Sequence, residues 1–300
     1  MTQITLLDGS IGQELVKRSG DRATPLWSVK VMIEHPEMVT AVHGDYFDAG
    51  ATIATTNTYA TLPDRLLRVG LQGQLEELCE VAARSACIAR DAHGSGWVAA
   101  SLGPLGASYR PDICPPVADA VKLYAEPLAL LREHVDILLF ETMSSVEQAE
   151  GALVAAREHG GGLPVWLALT VEDEDGTRLR SGEKLERLAP IIERLAPEAV
   201  LINCSPPEVI GAGLEIIREF GRPYGAYGNG FTRISEAFLK DLPSVDALEA
   251  RTDLSPEAYA GFAMGWVAQG ATIVGGCCEV GPAHIAELAR QLRAAGHEIV

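Results

Sequence analysis

The chain has 300 residues, 47% of them hydrophobic, with 41 acidic against 24 basic residues and a formal net charge of −17 at pH 7. Phosphate backbones are held by clustered Lys and Arg, so this balance excludes a nucleic-acid partner. No apolar run approaches the roughly 20 residues of a spanning helix, and Met1-Thr2-Gln3 enters a strand-like run with no secretory signal, so a cytoplasmic protein with no membrane partner is expected.

Strand-like runs recur at 4–7, 52–56, 97–102, 137–141, 165–170, 199–204, 223–227 and 272–276. Amphipathic helical stretches alternate with them at 36–49, 74–91, 118–132, 146–158, 183–195, 208–220, 256–269 and 282–294. Alternation of this kind indicates parallel βα units. Eight units in this length fit an α/β protein with one (β/α)8 TIM barrel spanning 1–300 as a single domain. A doubly wound open sheet would alternate too, but no G-x-G-x-x-G follows the first strand.

Link lengths point to the working face. Helix-to-strand links are short (94–96, 196–198, 221–222, 269–271), whereas strand-to-helix links are long (8–35, 57–73, 103–117, 228–255). Barrel enzymes build their sites from the second kind, at the C-terminal strand ends. The 228–255 segment has the length of a lid or an oligomer contact, and a homo-oligomer is left open. Helix starts are marked by Ser144-Ser145-Val146-Glu147-Gln148 and Ser205-Pro206-Pro207-Glu208, both capping-box patterns, and by Ser255-Pro256 and Gly281-Pro282.

In a reducing compartment the six cysteines read as ligands or core residues rather than disulfides. Cys79 and Cys87 fall in a helical pattern as small core hydrophobes, and Cys114 beside Pro115-Pro116 reads as a loop residue. The other three end apolar, β-branched runs: Cys204 after Leu201-Ile202-Asn203, and Cys277-Cys278 after Ile273-Val274-Gly275-Gly276. Three soft donors suit zinc and leave one tetrahedral position, the pattern of a catalytic rather than a structural site. Adjacent residues of a regular strand face opposite ways, so Cys277 and Cys278 share an ion only if the strand stops at the glycines, which free the backbone to bend. Cys204 also precedes a helix N-terminus, where a thiol pKa falls. The strand tips together present Asp8, Asn57, Glu141, Asn203, Cys204, Tyr227, Asn229, Cys277 and Cys278. Two carboxylates on a rim with three thiols suit an ammonium group.

These residues carry a resemblance to the homocysteine S-methyltransferases, zinc-dependent (β/α)8 barrels that make methionine. It runs through Leu7-Asp8-Gly9-Ser10-Ile11-Gly12, Leu26-Trp27-Ser28, His35-Pro36-Glu37, Ala49-Gly50-Ala51 and Gly103-Pro104-Leu105-Gly106-Ala107. It continues in Phe140-Glu141-Thr142, Ile202-Asn203-Cys204 and Gly275-Gly276-Cys277-Cys278 with Pro282-Ala283-His284-Ile285. The resemblance implies Cys204, Cys277 and Cys278 as zinc ligands that activate the substrate thiolate. It implies Asp8 and Glu141 as holders of the homocysteine amino group. The Gly9–Gly12 amides are offered as a seat for the carboxylate, and Asn203, Tyr227 and Asn229 join the substrate-binding set.

Two departures concern the methyl donor. Glu279 replaces the usual glycine after the cysteine pair, and Tyr227-Gly228-Asn229-Gly230-Phe231 replaces a segment that usually carries a carboxylate. Trp27, Tyr59, Tyr109, Tyr227 and Phe231 could wall a sulfonium or quaternary ammonium donor. The expected reaction is methyl transfer from a small sulfonium such as S-methylmethionine to homocysteine. Betaine or dimethylsulfoniopropionate as donor, another thiol or selenol as acceptor, and a purely structural zinc clip are the alternatives. A zinc-water hydrolase would want His or carboxylate ligands, and folate- or cobalamin-linked enzymes need further domains.

Overall fold

Short β-branched and apolar runs become strands because such residues fit a pleated surface buried on both faces. The computed structural model describes residues 2–20, 26, 28–240 and 247–300. Its strands are β1 (Gln3–Leu6), β2 (Ile53–Thr55), β3 (Trp97–Leu102), β4 (Ile137–Met143), β5 (Val165–Leu169), β6 (Ala199–Asn203), β7 (Tyr224–Tyr227), β8 (Ile273–Val274) and β9 (Glu298–Ile299). Parallel pairing runs in chain order from β2 to β8, and β8 pairs with β1. A parallel bridge between Leu7 and Ile53 joins β1 to β2, with Asp8 N donating to Ile53 O at 3.1 Å, and closes the ring. This is the (β/α)8 barrel expected from the sequence. The added strand β9 pairs with β1 through Gln3–Glu298 and Ile4–Ile299. At two residues it carries no alternation that could announce it.

Two-residue periodicity decides what faces inward. Leu7, Ile53, Ala99, Ile137, Leu139, Ala168, Ala199, Leu201 and Ile273 pack together inside the barrel. Their neighbours Leu6, Leu138, Phe140, Val200 and Ile202 pack outward against the helices. Carrying the same parity onward aims Ser101, Glu141 and Asn203 inward at the C-terminal end.

The eight predicted helices form at Pro36–Asp48, Leu75–His93, Val117–Leu131, Val146–His159, Ala189–Leu195, Pro207–Ile217, Pro256–Ala268 and Pro282–Ala294. The stretch 183–195 is shorter than expected: residues Leu185–Leu188 wind as a 3₁₀ turn, and the α-helix begins at Ala189 with Pro190 in its first turn. Proline lacks the N–H that would carry an α-helix through that point. Three further helices, Ile11–Ser19, Val29–Glu34 and Pro63–Arg68, occupy links read as loop. None exceeds nine residues, too few for a helical period to stand out.

Capping follows the sequence at Ser145, whose hydroxyl accepts from Gln148 N at 3.2 Å while Gln148 Oε1 accepts from Ser144 N at 2.7 Å. Ser255 caps likewise, from Ala258 N. Ser205 does not cap. Pro206 holds the N-cap position, and Ser205 Oγ accepts from Val171 N at 3.0 Å, tying the exits of β5 and β6 together. Among the described residues no helix is long and apolar enough to cross a membrane.

Candidate active site

β6 and β8 flank β7, so their exits lie close enough for one cluster. Cys204 N donates to Tyr227 O at 3.1 Å and Cys277 N to Gly228 O at 3.0 Å, fixing both exits to the end of β7. Cys204 Sγ then lies 2.9 Å from Cys277 Sγ and 3.7 Å from Cys278 Sγ, and all three sulfurs fall within 4.8 Å of one another. β8 ends at Val274, before the glycines, as shared ligation by adjacent cysteines requires. The glycines are needed for a different reason from the one expected. Neither has positive φ; a Cβ on Gly275 would lie 2.5 Å from Leu7 Cβ, and one on Gly276 would lie 2.2 Å from Val280 Cγ1. Close approach, not bending freedom, selects them.

Cys204 breaks the strand rule. Following inward Asn203, regular alternation would aim it at the helix layer, but φ +50° turns it toward the other thiols. Four sulfurs about 2.3 Å from a zinc ion sit roughly 3.8 Å apart, so the 3.7 Å pair already has a tetrahedral edge. The closer Cys277 needs a shift of about 1 Å. The donor set and its geometry fit a thiophilic divalent ion. The Cys277 and then the Cys278 thiols hold Cys204 well below the usual thiol range against its burial, and Cys277 and Cys278 are themselves pushed up. The neighbouring thiols are the largest cause of that lowering.

The same cavity carries the carboxylates. Asp8 is buried, its Oδ2 accepting from Thr55 N at 2.7 Å and its Oδ1 from Thr55 Oγ1 at 2.9 Å. Burial raises its pKa well above the usual range, the Thr55 bonds partly offset that, and the charge of Glu141 raises it further. Glu141 accepts from Ser101 Oγ at 2.9 Å and Tyr227 O–H at 3.1 Å. Burial pushes it up to about 7 despite those two bonds. One cavity is lined by Asp8, Glu141, Cys204, Cys277, Cys278 and Tyr227, with Gly9–Gly12 along its edge. Two carboxylates whose pKa burial raises thus share a cavity with three thiols.

Other expected residues are placed differently. Asn203 is aimed inward but off the cavity wall: its side chain accepts from Thr142 N at 2.9 Å and donates to Thr142 Oγ1 at 3.0 Å. Asn229 is spent on a local turn, accepting from Phe231 N at 3.2 Å, and it too is off the wall. Gly9 stands where a Cβ would meet Val280 O at 2.1 Å. Of the aromatic set, Tyr59 and Tyr227 line the cavity. Tyr109 and Phe231 instead pack with Phe238 on the outer side of Cys204 and Cys278, and Trp27 lies outside the described residues, as do 241–246 of the long 228–255 segment. Cys79 is a buried core residue, while Cys87 is only partly buried and gives its S–H to His134 O. Sequence reading missed Thr55, Ser101 and Thr142; the inward parity of Ser101 was the available signal for one of them.

A family model described as homocysteine S-methyltransferase matches residues 5–292. The homocysteine S-methyltransferase of Escherichia coli K12 is 31% identical, the alignment covering 95% of this chain and 94% of that protein. Homocysteine S-methyltransferase 1 of Brassica oleracea is 27% identical over 96% and 93%. Among solved structures, the metallated form of the E. coli homocysteine methyltransferase MmuM superposes with a TM-score of 0.80 at 27% identity, covering 96% of each chain.

Proposed function

The chain belongs to the homocysteine S-methyltransferase family, and from that premise we propose that it moves a methyl group from a small sulfonium donor, S-methylmethionine in the first instance, to homocysteine, giving methionine. The observation that carries this reading is the sharing of one cavity by three clustered sulfurs and two buried carboxylates. Cys204, Cys277 and Cys278 would hold zinc. When bound, that ion supplies the Lewis acidity that keeps a substrate thiol deprotonated near neutral pH.

The protein's residues account for binding and aim. Asp8 and Glu141 receive the substrate ammonium, whose charge ionises both carboxyls and whose donors add to those of Thr55, Ser101 and Tyr227. The first-turn amides of Ile11 and Gly12, which have no acceptor within their own helix, receive the carboxylate. With both ends fixed, the sulfur is left to point at the thiol wall, and proximity supplies much of the rate. A sulfonium donor leaves as a neutral thioether: its S–CH₃ bond breaks as the new one forms, so no general acid is required. The rings of Tyr59 and Tyr227 on the cavity suit any methyl-bearing onium, which keeps betaine and dimethylsulfoniopropionate as second donors. We take residues 1–300 as one catalytic unit with small-molecule substrates.

The test is direct. Zinc-loaded protein incubated with homocysteine and each donor in turn should yield methionine, most rapidly with S-methylmethionine. No methionine from any onium donor would refute the reading.

A further inference from the structure

Tyr109 and Arg180 belong to none of the roles above, yet they stand directly behind the thiols. Tyr109, in the link after β3, donates its hydroxyl to Cys204 Sγ at 3.0 Å. Its backbone is left-handed, with φ +61°, a conformation that costs a non-glycine residue on the order of 1–2 kcal/mol. Local preference therefore does not put the ring there; its surroundings do. Arg180, in the link after β5, lies over that ring with Cζ 4.7 Å from the centroid. The guanidinium is fixed by Asp173 Oδ1 at 2.5 Å and by Thr170 Oγ1, 3.1 Å from Nε. Thr170 Oγ1 in turn donates to the carbonyl of Cys204 at 3.2 Å, and Asp173 Oδ2 accepts from Ile234 N at 2.9 Å. Phenol, guanidinium and ligand cysteine thus form one continuous, mostly buried network.

Resting on the metal-binding reading above, we propose that Tyr109 and Arg180 are positioning residues that hold the metal site by relieving its negative charge. Three cysteinates around a divalent ion leave one net negative charge, buried in a barrel mouth that also holds Asp8 and Glu141. Uncompensated charge in such a place is costly. A hydroxyl donated to the ligand sulfur withdraws charge from it, and a guanidinium stacked on that phenol polarises the donor in the same sense. Groups that stand behind metal ligands typically contribute 10–100-fold in affinity.

Tyr109→Phe keeps the ring and the Arg180 stack and deletes only the O–H. Zinc titrated into the full-length variant against a competing chelator should bind roughly 10–100-fold more weakly. In cobalt-loaded protein the thiolate-to-metal charge-transfer absorption should shift while the tetrahedral ligand-field bands remain. Arg180→Gln should weaken zinc binding in the same direction by a smaller factor, and Arg180→Lys should recover part of the loss. Should Tyr109→Phe fail to fold, the two Arg180 variants decide. Zinc affinity within about twofold of wild type together with an unchanged cobalt spectrum would overturn the proposal, as would a wild-type protein that binds no zinc. Neither readout needs methyl transfer. A protein that shows these shifts but makes no methionine keeps this inference and loses the proposed reaction.

Discussion

Glu141 stands on strand register, whereas the thiol wall stands on backbone that strand geometry would reject. Glu141 inherits its aim from Ile137 and Leu139 by alternation along β4, and Ser101 meets it from the same inward register of β3. On the other side Cys204 has φ +50° and its partner Tyr109 φ +61°, with Glu279 at +63° just after the cysteine pair. Thr142, beside the cavity, is at +62°; of the described non-glycine residues with positive φ, only Ala196 lies elsewhere, closing a helix. Backbone strain therefore collects where soft ligands must converge from two strand ends. The contrast implies different modes of failure. The thiol wall should fail all at once, because each sulfur is placed relative to the others. The carboxylate wall should fail by degrees, because its groups are set by the barrel and tuned by protonation.

The largest effect should come from breaking the thiol wall. Cys204→Ser replaces a soft donor with a hydroxyl that stays protonated at neutral pH. Stoichiometric zinc and thiol methylation should vanish together, activity dropping on the order of a thousandfold or more, while the far-ultraviolet circular dichroism of the barrel persists. Retained zinc with full activity would remove Cys204 from the ligand set.

Glu141→Gln should produce a smaller and divided result. Loss of a buried charged partner costs about 2–5 kcal/mol of binding, so the KM for homocysteine should rise by roughly 30- to 5,000-fold with a lesser change in kcat. The stability of the metal-free protein should move the other way. Glu141 has its folded pKa raised from 4.5 to about 7 by burial. The fold therefore binds the extra proton between those values, and its stability, undiminished below 4.5, falls as pH rises through about 7. At about 1.36 kcal/mol per pH unit, glutamine at this position should make the protein about 3 kcal/mol more stable at pH 8, read from denaturant midpoints. Equal midpoints at pH 8 would show that burial does not raise the Glu141 pKa.

The same residue predicts a pH profile. The ammonium site needs ionised Glu141, and the free protein ionises it only near pH 7. kcat/KM for homocysteine should therefore climb through about pH 7 in the wild type, with protons released when homocysteine binds below that pH. The Glu141→Gln variant should lack that limb. A flat profile from pH 6 to 8 in the wild type would contradict the assignment.

How much of this was legible in the sequence follows the same division. The barrel, its working face and Glu141 rest on periodicity and link length, which are properties of single segments. The cysteines were legible because Cys-Cys after Gly-Gly at a strand end is an unusual string. Residues that act through contacts between distant links were not: Thr55 is known as the partner of Asp8, and Arg180 as the partner of Tyr109, only once the ring is closed. Asn203 shows the reverse case. Its strand-tip position suggested substrate contact, but Thr142 at the tip of β4 takes both ends of its amide.

Asn203→Ala tests that placement and should have the smallest effect. The amide satisfies the N–H and hydroxyl of Thr142, which is buried and left-handed. Deleting it leaves the buried Thr142 N–H unpaired, at a cost of about 1–3 kcal/mol, so the melting temperature should fall by a few degrees. Substrate should feel the change only through Thr142, on the cavity wall. The KM for homocysteine should therefore rise no more than a few-fold, far less than for Glu141→Gln. A KM effect as large as that of Glu141, with no loss of thermal stability, would return Asn203 to the substrate-binding set and show that the amide turns away from Thr142 when homocysteine is bound.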